Sequence, residues 1–196
     1  MTTIPESNGK IALVTGINGY IALWVGLSLL QRGYTLRGTL RRKSSADAIL
    51  SGPYREYHAA GRVEIVGVPD IVVPGAFDEA VKGVHTILHT ASPISFGLAT
   101  LAEFVGPAVK GTETILESTI QFAGPQLESY VQTSSVAAVV TPGENRAFTA
   151  ADWNVQIEQL AEKLGEETPM FARYQVSKVK SERAIWRFRD ERKVCF

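Results

Sequence analysis

Apolar residues fall in short blocks along this chain, separated by polar joints marked with glycine or proline. Ile11–Thr15 is a compact apolar run stopped by Gly16, the pattern of a buried strand. Tyr20–Gln31 follows as a helix apolar nearly all round, with Gly33 placed to cap its end. Tyr34–Leu40 reads as a second strand and Arg62–Val68 as a short third one. Gly75–Lys82 predicts a short helix closed by Gly83. Val84–Thr90 is a fourth strand, Leu101–Phe122 a long helix, and Tyr130–Thr133 a fifth strand. The pattern ends in a helix over Met170–Arg192 with a charged outer face.

Strands alternating with helices predict a parallel sheet covered on both faces. The strands are near-continuous apolar runs, as expected of strands buried on both sides. The fold class is therefore α/β, a doubly wound parallel sheet. Pro142–Pro169 interrupts the alternation with a polar stretch holding one short helix near Val155–Leu164. A loop of that length is expected to serve function rather than packing; a solvated excursion is the alternative.

Composition changes this picture little. The chain has 196 residues, 45% hydrophobic and 20% charged, which suits one well-buried domain rather than two. Twenty basic residues balance 20 acidic ones, so neither nucleic acid nor an anionic membrane is an expected partner. The single cysteine, Cys195, precludes an internal disulfide and fits a reducing compartment. Met1–Lys10 lacks the apolar centre of a signal peptide, and Tyr20–Leu30 is too short to span a bilayer. The expectation is a soluble, cytoplasmic protein.

Candidate chemistry begins where the first strand runs into Thr15-Gly16-Ile17-Asn18-Gly19-Tyr20-Ile21-Ala22. Glycines at such a turn let the backbone approach a pyrophosphate at a helix N-terminus. Ala22 stands where a third glycine often serves close packing. The second strand ends in Arg41-Arg42-Lys43 with no carboxylate before Asp47. An NAD site places an acidic residue there for the ribose hydroxyls. Cations suit a 2′-phosphate instead, so the expected cofactor is NADP.

Tyr174 and Lys178 lie four apart on the last helix, hence on one face. A nearby cation favours phenolate, which makes Tyr174 a usable general acid for a carbonyl oxygen receiving hydride. Such spacing is also common on plain solvated faces. Thr133-Ser134-Ser135 sits at the end of the fifth strand, the edge where open parallel sheets carry ligands. A serine there could hold a substrate carbonyl; capping of the strand end is the alternative, above all for Ser134.

Together these residues resemble the extended short-chain dehydrogenases, most closely the dihydroflavonol-reductase-like group with its cinnamoyl-CoA reductases and fungal aldehyde, ketone and methylglyoxal reductases. The resemblance rests on TGINGYIA (15–22), RGYTLRGTLR (32–41), Asp70-Ile71, GAFDEAVKGVHTILHTASP (75–93), GTETIL (111–116), TSSVAAVV (133–140), DWN (152–154) and YQVSK (174–178), in the family's order. It implies NADPH-dependent reduction of a small carbonyl substrate. Ser135, Tyr174 and Lys178 would be catalytic, with Tyr174 and Lys178 also beside the nicotinamide ribose. Gly16, Asn18, Gly19, Tyr20 and Ile21 would form the pyrophosphate turn. Arg41, helped by Lys43, would hold the 2′-phosphate. Asp70 and Ile71 would flank the adenine, and Thr90, Ala91 and Ser92 would border the ribose and phosphates. The group also carries a further strand, an Asn-Pro loop and a substrate lobe. This sequence ends at Arg192-Lys193-Val194-Cys195-Phe196, where that strand would begin, so the expectation is an incomplete Rossmann domain without its substrate domain, with an exposed edge on the fifth strand.

His58, His85 and His89 show no metal-binding spacing, so no metal is expected. His89, at the end of the fourth strand, reads as a packed or hydrogen-bonded residue. Two other functional classes share these features: an NADP-binding module without turnover, including a redox sensor, and a nucleotide-sugar epimerase or dehydratase.

Overall fold

The computed structural model describes residues 4–92 and 98–193. Cys195 and the end of the 75–93 motif lie outside the described residues. The chain forms two compact units: one holds the residues up to Ala91 together with Glu117–Thr133, the other Ser92–Leu116 and the chain from Ser134 on.

The first unit contains the whole sheet. Its strands are β1 (Ile11–Val14), β2 (Thr35–Leu40), β3 (Val63–Gly67), β4 (Thr86–His89) and β5 (Ser129–Gln132). All pairings are parallel, in the order β3-β2-β1-β4-β5. The chain therefore winds outward from β1 in one direction and returns from β4 in the other. That reversal between β1 and β4 is the switch point where open α/β sheets bind ligands. Ala12, Leu13 and Val14 of β1 are fully buried, as a central parallel strand requires.

Helix α1 (Tyr20–Gln31) follows β1, and Gly33, with φ of +88°, stands just beyond its end. Ala22 and Leu30 of α1 share a core with Val14, Ile17, Leu36 and Tyr54. Ile17 packs directly over Gly38 of β2, where an added Cβ would come within 2.8–3.0 Å of three Ile17 side-chain carbons. A branched side chain held in a full core has nowhere to move. Gly38→Ala is therefore expected to destabilise the protein by about 2 kcal/mol in urea denaturation; an unchanged midpoint would contradict this packing.

Two helices between β2 and β3 escape the periodicity: α2 (Asp47–Ser51) and α3 (Arg55–Ala59). Each has five residues, too few for a 3.6-residue repeat to register. The helix expected over Gly75–Lys82 narrows to α4 (Asp78–Val81), because Gly75 takes a φ of +79° and its carbonyl accepts the Asp78 N–H in a turn. Thr15 and Thr133 lie just past the strands assigned to them.

Helix α5 (Leu101–Phe122) runs through Pro107, and its residues from Glu117 on belong to the first unit. The second unit holds the rest of α5 with α6 (Val155–Leu164) and α7 (Met170–Arg192). Its core joins Ala138, Ile157 and Ala161 to Ala172, Val176 and Val179 of α7. The short helix expected within the 142–169 stretch near Val155–Leu164 is α6, and it packs into this core. Arg183 clamps the nearly buried Glu158 of α6 with contacts of 2.8–3.2 Å and stacks over Trp153. No helix among the described residues is long and apolar enough to cross a membrane.

Candidate functional site

At the switch point, β1 ends and the chain turns at Gly16, whose φ is +67°. A Cβ there would press within 3.3 Å of the Ala91 side chain, so the turn needs glycine for conformation and for space. The Gly16 N–H donates to Thr39 Oγ1 and that of Ile17 to the Thr39 carbonyl, tying the turn to β2. Gly19 caps α1 without a side-chain hydrogen bond, and the first helical turn carries no acidic residue. Its amides are thus left for an anion. Asn18, Gly19, Tyr20 and Ile21 are exposed there.

The same turn is wired to the end of β4 through Thr15, which is fully buried. Its N–H donates to the Leu88 carbonyl at 3.1 Å, and its carbonyl accepts from the Thr90 hydroxyl. Its Oγ1 accepts from the amides of Thr90 at 3.0 Å and Ala91 at 2.9 Å, and lies 2.9 Å from His89 Nδ1. His89 is buried, edge-on to Phe77.

Arg41 and Lys43 follow β2 directly, exposed, and among the described residues no carboxylate pairs with either. The Lys43 stem lies over Gly67 at the end of β3. Asp70 accepts the Val72 N–H at 3.1 Å, shaping the turn in which Ile71 is half-buried.

The second unit assembles the other candidates. The Tyr174 hydroxyl donates to Ser135 Oγ at 3.4 Å. Lys178, one turn further along α7, is buried, and its Nζ donates to Ser92 Oγ at 3.3 Å while standing 5.9 Å from the Tyr174 ring centroid. Burial holds the Lys178 ammonium below its ordinary pKa. Ser135 also accepts the Ala137 N–H at 3.2 Å, capping a single 3₁₀ turn over Val136–Ala138.

Two residues that the sequence reading left without a role support this cluster. Asn154, fully buried, caps α6 and donates from Nδ2 to the Ala137 carbonyl, while its N–H donates to the Ala138 carbonyl. It thereby braces the turn that Ser135 caps. The Ser134 hydroxyl donates to Glu182, which continues the Tyr174–Lys178 face of α7 by one more turn. The signals were an Asn before an amphipathic helix and an acid four residues past the lysine.

A parallel five-stranded sheet with its switch point at a glycine turn is a Rossmann-like fold of the dinucleotide-binding type. The profile of the NAD dependent epimerase/dehydratase family matches residues 12–196, and the chain belongs to that family. Among its relatives, aldehyde reductase 2 of Sporidiobolus salmonicolor is 36% identical over 98% of this chain and 56% of its own length. A cinnamoyl-CoA reductase of Medicago truncatula is 33% identical over 95% of this chain and 55% of its own. Among solved structures, Gre2 of Candida albicans, determined as a complex with NADPH, superposes with a TM-score of 0.81 at 30% identity, covering 92% of this chain and 53% of that one. The chain spans about half the length of the relatives it matches.

Proposed function

We propose that this chain is the dinucleotide-binding portion of an NADPH-dependent carbonyl reductase in which Tyr174 is the proton donor. The observation that carries the reading is the Tyr174 hydroxyl set against Ser135 Oγ, with a buried lysine one turn along the same helix. Relatives named as aldehyde and cinnamoyl-CoA reductases, and a solved relative in complex with NADPH, support it.

The Gly16 cradle fits a pyrophosphate, since a side chain would fill the space that the backbone leaves open. Gly16, Asn18, Gly19, Tyr20 and Ile21 would hold the phosphates through amides at the start of α1. Arg41, with Lys43 beside it, would meet the 2′-phosphate; Asp70 and Ile71 would border the adenine; Thr90, Ala91 and Ser92 would line the ribose side. NADPH bound there supplies the hydride. Ser135 holds the carbonyl oxygen of a small aldehyde or ketone, and Tyr174 delivers its phenolic proton to that oxygen as charge develops. Lys178 holds the Ser92 hydroxyl and a ribose, and its charge favours the phenolate left behind.

Titration of the purified chain with NADPH and NADH tests the cofactor assignment. NADPH is expected to bind tighter, and Arg41→Ala to weaken NADPH by about 10- to 100-fold, the worth of one charged hydrogen-bonded contact, while leaving NADH nearly unchanged. The difference shrinks with added salt, because Arg41 is exposed. Equal affinities, or an Arg41→Ala variant indifferent to the 2′-phosphate, would remove NADP from the proposal.

A further inference from the structure

A hydroxyl has one proton to give and two lone pairs to offer. Thr15 Oγ1 already receives two backbone N–H groups, from Thr90 and Ala91, in a fully buried position. Both lone pairs are spent, so its remaining contact, with His89 Nδ1 at 2.9 Å, must use its proton. Nδ1 must then be the acceptor, which leaves the ring proton on Nε2. An imidazole bearing hydrogen at Nδ1 would aim a third donor at an oxygen with no capacity for it.

We infer that His89 is a positioning residue for the nucleotide crevice: its Nδ1 lone pair takes the Thr15 proton and so holds both Thr15 lone pairs on the Thr90 and Ala91 amides. The assignment rests on the proposed nucleotide site, because Thr90 and Ala91 border it. His89 acts through Thr15 and contacts no substrate. The Thr15 rotamer matters beyond one hydrogen bond, since Ala91 is also the residue against which Gly16 makes its close approach. If the Thr90–Ala91 segment drifts, the turn that would face the pyrophosphate loses its wall.

Two variants separate this role from simple packing. Asparagine puts Oδ1 where Nδ1 stands, so His89→Asn keeps the acceptor and loses the ring. Leucine has the same branching without an acceptor. Both lose the edge-on contact with Phe77 and are expected to be somewhat less stable. Only His89→Leu should leave the Thr15 proton unpaired.

The first measurement is the imidazole nitrogen pair of His89 in the nucleotide-free chain, by long-range proton–nitrogen correlation at neutral pH. An unprotonated Nδ1 with a protonated Nε2 is expected; the opposite tautomer overturns the assignment whatever the protein binds. The second is amide exchange at Thr90 and Ala91 beside NADPH affinity in the three proteins. His89→Leu should speed exchange at those two amides by about 10-fold and weaken NADPH by about 5-fold, with His89→Asn close to the parent in both. Parent-like exchange in His89→Leu overturns the inference. A parent chain that binds no nucleotide, yet shows the expected tautomer and exchange, overturns the NADPH reading and the crevice role together while the Thr15 latch stands.

Discussion

Under the proposed function, Tyr174→Phe is expected to lower NADPH-dependent reduction of a small aldehyde by about 1000-fold, within the range that a positioned general acid contributes. The ring keeps its shape and its place on α7, so NADPH affinity stays within about 2-fold of the parent. Only the hydroxyl that reaches Ser135 Oγ is lost. The loss should therefore fall on kcat, with the binding of nucleotide preserved. A variant that retained more than about a tenth of the parent rate would transfer the proton to some other group. Such a result would demote the Ser135–Tyr174 pair from chemistry to local packing.

Lys178→Met is expected to cause a loss of comparable kind without weakening the fold. Turnover is expected to fall by about 100-fold or more, because the cation that would favour the phenolate left behind and that fixes the Ser92 hydroxyl is gone. Stability does not fall with it. Folding removes this ammonium from water, and burial alone lowers its pKa. The charged form is thus the one that the folded state disfavours, and a methionine of similar length carries no such cost. The sign with pH follows. Below the folded-state pKa both states are protonated and the parent bears the full desolvation cost. As pH rises towards the ordinary lysine value of about 10.4, the folded state sheds its proton first and the cost disappears. Lys178→Met should melt at or above the parent temperature at neutral pH, with its advantage shrinking at alkaline pH. A variant that melted well below the parent at neutral pH would show that the Ser92 contact outweighs desolvation.

The long elements were legible because their pattern is long. The bounds of α1, α5 and α7 are those expected from their long uninterrupted runs, which end at glycine or polar breaks. The five-residue helices α2 and α3 were not, since one turn of helix leaves no repeat to read. The same limit separates the parts of the candidate site. Tyr174 and Lys178 stand four apart on one helix, so local spacing suffices to put them on one face. Asn154 meets the turn after Ser135 across 17 residues, and Ser134 meets Glu182 across 48. Such partners become visible only when packing brings the segments together. The short helix expected near Val155–Leu164 is α6, whose Ile157 and Ala161 stand four apart on its buried face; the buried Glu158 beside them, held by Arg183 across 25 residues, was beyond local spacing.

The order of the strands also sets a sequence in time. β1 can pair with β2, and β2 with β3, once about the first third of the chain exists, because these strands follow one another closely. The other neighbour of β1, strand β4, comes much later, and the Thr15–His89 contact closes a loop of 74 residues. Contacts of that span form slowly, since their chain entropy must be overcome before they reward it. The crevice wall made by Thr90 and Ala91 is therefore a late product of folding. During synthesis a chain halted before β4 would hold a glycine turn with nothing opposite it, and acquisition of nucleotide binding would time the docking of the second half of the sheet.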